Sequence, residues 1–141
     1  MKSMAYKVLF IDSDILLDTI LIRQPHFNYS AEVVKLADNN AYTLCASVHS
    51  LLNIHYATKR AFNEALARQA ILVLTERLNI IKEDAALIKQ AAGSDFSDFE
   101  DAVQYYAAKS AGADAIITRN IKDYKQATIP VFTAEQFLRT L

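Results

Sequence analysis

The chain has 141 residues, enough for one domain with a substantial core. Hydrophobic residues make up 52% and charged residues 22%, which excludes disorder as a description of the whole chain. Fifteen Lys and Arg against sixteen Asp and Glu exclude a uniformly basic surface, and the single cysteine, Cys45, excludes an intramolecular disulfide and a cysteine zinc site.

The first six residues lead into a short apolar run that stops at Asp12, too short for a signal peptide or a membrane span. With Cys45 alone, this fits a reducing, cytoplasmic setting. Lys7 to Ile11 is rich in β-formers and reads as a buried strand. Ser13 to Ile22 is helical in composition, and Gln24-Pro25-His26 breaks it. Ser30 is expected to cap a second helix that runs to about Asp38. Asn39-Asn40 marks a turn, and Tyr42 to Ala46 a second buried strand.

Ser47 caps a long helical stretch from Val48 to about Leu78, broken near Lys59 to Asn63. Asn79 to Lys82 forms a short strand, and Ala85 to Ala92 a helix stopped by Gly93. Ser97 and Glu100 have capping-box spacing and open a helix from Phe99 to Ala111, ended by Gly112. Ala115 to Thr118 and Ile129 to Phe132 are strands. Thr133 and Gln136 form a second capping box for a C-terminal helix. No repeat or linker interrupts the chain, so residues 1–141 read as a single domain.

Short, continuously apolar strands alternate with helices. That pattern predicts an α/β fold of three layers: a central, mostly parallel sheet of about five short strands with helices on both faces. Ligands bind such sheets at the carboxyl ends of the strands. Asp12-Ser13-Asp14 follows the first strand, Thr118-Arg119-Asn120-Ile121-Lys122-Asp123 a late one, and Asp98-Phe99-Glu100-Asp101 opens a helix. If these segments share one edge, Asp12, Asp101, Asp123 and Asp98 converge. Clustered carboxylates repel unless a cation shares them, and an oxygen-only set suits Mg²⁺ or Mn²⁺.

Each residue also has a plainer role. The helix dipole favours Asp98, Glu100 and Asp101 at a helix start without any metal. Asp14 reads as a helix cap, Asp18 as exposed or at the rim of the site, and Asp123 as a turn residue. Asp12 is the hardest to explain structurally, because it ends an apolar strand at the ligand edge. His49 and Asn53 share a helical face but make a poor metal signature. Tyr42, Tyr56, Tyr105, Tyr106 and Tyr124 read as core or rim, and Cys45 as a small core residue. Arg119 and Lys122 are the candidate phosphate contacts. Ala65 to Leu78 carries more apolar residues than one buried face needs, which suits either a core helix or a homodimer surface.

Three stretches together resemble the PIN-domain family of metal-dependent ribonucleases, which includes many bacterial toxins. They are Phe10-Ile11-Asp12-Ser13-Asp14-Ile15-Leu16, then Asp98-Phe99-Glu100-Asp101-Ala102-Val103-Gln104, then Thr118-Arg119-Asn120-Ile121-Lys122-Asp123-Tyr124. The closing Pro130-Val131-Phe132-Thr133-Ala134-Glu135-Gln136-Phe137 is similar to that family's ending. The resemblance implies a ribonuclease using Mg²⁺ or Mn²⁺. Asp12 and Asp101 would be metal ligands, Asp123 a ligand or water-orienting base, and Thr118 a hydroxyl beside the metal. It also implies RNA as substrate, a small antitoxin as partner, and a homodimer. Asn53 and Asn120 stand where the family usually has acidic residues, which points to weakened metal binding and to a second reading: a PIN-fold binding module for nucleic acid or protein. A third reading, the D-x-D opening of haloacid-dehalogenase phosphatases, fits poorly, because Ile15-Leu16 replaces the expected Gly-Thr.

Overall fold

The computed structural model describes residues 6–141; residues 1–5, most of the lead-in read above, lie outside the described residues. Five strands form one sheet: β1 (Val8–Ile11), β2 (Thr43–Ser47), β3 (Asn79–Ile81), β4 (Ala115–Ile117) and β5 (Val131–Phe132). Their order is β3-β2-β1-β4-β5, and every pairing is parallel. All five expected strands are present, each within a residue or two of its expected bounds.

Among the described residues, seven helices cover the sheet: α1 (Ser13–Ile20), α2 (Phe27–Val34), α3 (Val48–Ala61), α4 (Glu64–Arg77), α5 (Ala85–Ala92), α6 (Phe99–Ser110) and α7 (Ala134–Leu138). Successive strand residues point to opposite faces. Leu9, Ile11, Leu44, Ala46, Ala115 and Ile117 therefore meet a core shared with α1 to α4 and α7. Phe10, Cys45, Ile81 and Ile116 meet a second core under α5 and α6. These faces make the predicted three-layer architecture. Among the described residues no helix is long and apolar enough to cross a membrane.

Several helix ends differ from expectation. Ser30 does not cap α2; it lies inside the helix, buried, and its hydroxyl donates to Asp18 Oδ2 at 3.0 Å. The helix starts earlier, at Phe27, and passes into a 3₁₀ turn over Lys35–Asp38. Asp98, not Ser97, caps α6, accepting the Asp101 N–H at 3.0 Å, because Asp98 is the extended residue directly before the first helical turn. The Thr133–Gln136 capping box is present as read. The long central helix breaks at Phe62-Asn63, where the Asn63 side chain restarts it as α4.

The chain leaves β1 outward to β2 and β3, then returns to add β4 and β5 on the other side. β1 and β4 thus flank the switch point, and the crevice at their carboxyl ends is where sheets of this type take ligands. Asp12 follows β1 directly and Thr118 follows β4 directly.

Candidate active site

Asp12 is the N-cap of α1, and its Oδ1 accepts the Ser13 N–H at 2.8 Å. Three side chains complete its surroundings. Gln104 Nε2 donates to Oδ1 at 3.2 Å, while the hydroxyls of Thr118 and Tyr124 donate to Oδ2 at 2.9 and 3.0 Å. Four donors meet the roughly four lone-pair positions of a carboxylate. Asp12 is thereby aimed from the end of β4, from α6 and from the 3₁₀ turn Ile121–Tyr124 at once.

Gln104 reaches Asp12 because α6 packs across β2 with this side chain turned inward, 4% exposed. Its amide is fixed by two serines at the start of α3. Ser47 Oγ donates to its Oε1, and its Nε2 donates to Ser50 Oγ at 2.7 Å. The NH₂ group must then face Asp12. Sequence reading passed over Gln104 as part of a motif and took Tyr124 as core or rim. Gln104 had a signal, as a polar residue one helical turn after Asp101 on an otherwise apolar inner face. Tyr124 had none short of the fold.

The acidic residues gather around this point without closing on it. Burial and then the charges of Asp123, Asp98, Asp12 and Glu100 push Asp101 up to about 6. Asp14 is pushed up to about 7, first by burial and then by the neighbouring Asp12 charge. Among the described residues, no three His, Cys, Asp or Glu side chains stand close enough to form a ready-made ligand set. The donor chemistry still fits a hard divalent cation: oxygen only, mutually repelling, with Asp101 half-buried and Asp123 exposed and free to turn. Burial and the charges of Asp12, Asp101 and Asp14 also hold the Tyr124 hydroxyl in its neutral, donating form.

The other expected residues separate into near and far. Thr118 is fully buried against Asp12. Asn120 is exposed; its Nδ2 donates to Asp14 Oδ2 at 3.3 Å and its backbone N–H to Thr118 Oγ1 at 3.1 Å. Asp98 already spends one oxygen on the α6 cap. Asn53 is exposed, and its amide faces His49 Nε2 at 3.3 Å, on the surface beside Glu100 rather than at Asp12. Lys122 is exposed in the 3₁₀ turn.

Asp14 does not cap α1, since Asp12 one residue before the helix holds that place; its Oδ2 instead accepts the Arg119 backbone N–H at 3.2 Å and anchors the turn after β4. Asp18 is corrected outright. It is 0% exposed, with Arg119 Nε at 3.3 Å and the Ser30 hydroxyl on the same oxygen. The bulk of α2 and the reach of Arg119 bury a position whose spacing on α1 suggested solvent.

Comparison with known proteins agrees with this fold. The sequence pattern of the PIN domain matches residues 8–122. A curated relative, Ribonuclease VapC1 of Aquifex aeolicus (strain VF5), is 26% identical over 133 residues, covering 91% of each chain. A toxin–antitoxin complex from Klebsiella pneumoniae superposes with a TM-score of 0.66 at 20% identity, over 89% of this chain and 97% of that one. VapBC2 from Rickettsia felis, bound to a DNA fragment from its promoter, gives 0.63 at 18% identity, over 89% and 96%. VapC20 of Mycobacterium tuberculosis, a sarcin-ricin loop cleaving toxin, gives 0.62 at 16% identity, over 77% and 86%.

Proposed function

The chain belongs to the PIN domain family, and we propose that it is a metal-dependent endoribonuclease that hydrolyses RNA phosphodiesters, acting as the toxin of a toxin–antitoxin pair. The observation that carries this reading is the Asp12 carboxylate, set at the β1–β4 switch point by four donors and ringed by carboxylates that repel one another. The ribonuclease named among its relatives supports the same reading.

In this proposal Asp12 and Asp101 hold Mg²⁺ or Mn²⁺, Asp12 exchanging one of its hydroxyl donors for the ion; Asp123 is a third ligand or orients the attacking water, and Asp98 stands in reserve. The ion, when bound, supplies an activated water and offsets charge developing on the phosphate. The chain's own residues prepare the place. Gln104, Thr118 and Tyr124 fix Asp12 so that it spends no entropy finding its orientation. Asn120 is auxiliary, offering a neutral oxygen, whereas Asn53, turned to the surface beside His49, takes no part. Arg119 and Lys122, on the turn beside the site, meet the RNA backbone.

The reading extends to assembly and setting: one domain across residues 1–141, in the cytoplasm, with a small antitoxin protein as partner. It also includes a homodimer formed through α3 and α4, where Leu52 and Leu72, each 65% exposed, line one groove with Leu51 and Ile71. Apolar patches of this kind mark contact surfaces. The outward turn of Asn53, and carboxylates that do not close on one point, favour a second reading: a PIN-fold binding module with weakened catalysis.

One experiment separates them. Purified protein and an Asp12→Asn variant are incubated with single-stranded and structured RNAs in Mg²⁺, Mn²⁺ or EDTA. Cleavage that needs the metal and vanishes in the variant supports the nuclease. RNA bound without cleavage, and no metal uptake by calorimetry, supports the binding module.

A further inference from the structure

The turn after β4 divides the carboxyl edge of the sheet. On one side is Asp12. On the other is a cavity of about 430 Å³ framed by Ile15, His26, Tyr29, Arg119 and Thr133. Ile15 follows β1, Arg119 follows β4 and Thr133 follows β5, so the cavity opens on the ligand edge of the fold. Its volume falls within the roughly 300–1,000 Å³ of small-ligand sites.

Arg119 belongs to both sides. It is the next residue after Thr118, whose hydroxyl touches Asp12. Its backbone is held by Asp14, and its Nε lies 3.3 Å from the buried Asp18. Among the described residues, no hydrogen bond engages its two terminal nitrogens. A guanidinium pinned from below, with its outer donors free, matches a phosphate. Because Asp18 balances its charge, the directional donors count for more here than net attraction.

The rest of the lining is apolar and aromatic. Ile15 is fully buried at the floor, and the Tyr29 ring, on α2, is 44% exposed. Glu135 at the rim has its charge met by Arg139. A planar base stacks on such a wall whatever its sequence, and only an unpaired base presents its face.

We propose that this cavity seats one unpaired nucleotide of the RNA adjacent to the cleaved phosphate, its base against Tyr29 and His26 and its phosphate on Arg119. The inference rests on the nuclease reading and names its substrate class as single-stranded RNA.

The test uses the full chain with Asp12→Asn, in EDTA, so that nothing is cut. Binding of a fluorescent single-stranded octaribonucleotide is followed by anisotropy, beside the same sequence as a duplex. Tyr29→Ala is expected to weaken single-strand binding about tenfold, the size of one lost stack. Tyr29→Phe restores it. Arg119→Gln also weakens binding and makes its salt dependence shallower by one phosphate contact, roughly 0.7 in slope. Unchanged thermal melting of Tyr29→Ala keeps misfolding from imitating the result. Tyr29→Ala binding within twofold of its parent, or a duplex bound as well as the single strand, overturns the proposal. Where the unmutated chain still cleaves RNA, that failure leaves the nuclease reading standing. A chain that neither binds nor cleaves RNA overturns both.

Discussion

Replacing Asp14 by Asn is expected to stabilise the protein at pH 8 and to leave its stability nearly unchanged at pH 4. Asp14 accepts two hydrogen bonds on Oδ2, while its Oδ1 is buried without a hydrogen-bond partner. Burial first, and the Asp12 charge second, raise its pKa from 3.8 to about 7. Between those values the folded chain keeps a proton that the unfolded chain has released. Stability therefore falls as pH rises through the window, and the deficit is complete above about pH 7. Three units at about 1.4 kcal/mol each set a ceiling of roughly 4 kcal/mol. Relaxation and solvent access reduce this to about 2 kcal/mol, or about 6–8 °C in Tm for a domain of this size. Asn keeps one acceptor oxygen and carries no charge. The assay is urea and thermal denaturation of both proteins in EDTA at pH 4, 6 and 8. Curves that differ by the same amount at every pH, or a variant less stable at pH 8, would refute the reasoning.

Saturating Mn²⁺ at pH 7.5 is expected to raise the Tm of the unmutated chain but not of Asp12→Asn; an ion at one hundred times its Kd contributes about 2.7 kcal/mol, readable by calorimetry. Gln104→Leu strips Ser47 and Asp12 of a partner together, and is expected to cost about 2–3 kcal/mol in urea titrations and to lower kcat more than it raises KM. Leu72→Glu places a charge in the proposed dimer surface, so sedimentation should show a monomer with an unchanged melting profile.

The strands were legible because each is a short run with no competing period; Lys7 to Ile11 can hardly be anything else beside Asp12. Sheet order was not, since nothing local to β1 says that β2 and β4 lie on either side of it. Helix starts were legible where one residue does the capping, as at Thr133, and blurred at Ser97 and Asp98, where two adjacent residues compete for the same N–H groups. Asp18 and Tyr124 show the sharper limit. One is a charge whose burial depends on Arg119, about a hundred residues later. The other is a ring that looks like core until its hydroxyl meets Asp12 across 112 positions. Asp12 itself was legible because a carboxylate at the end of a buried strand has few structural excuses.

That separation has a meaning in time. Asp12 is synthesised more than a hundred residues before its hydroxyl donors, Thr118 and Tyr124. At about 5–20 residues per second, the interval from Asp12 to Tyr124 is roughly 6–20 s. β1 is the central strand, and its second neighbour arrives only with β4. The surroundings of Asp12 therefore cannot assemble until β4 and the turn after it have been made.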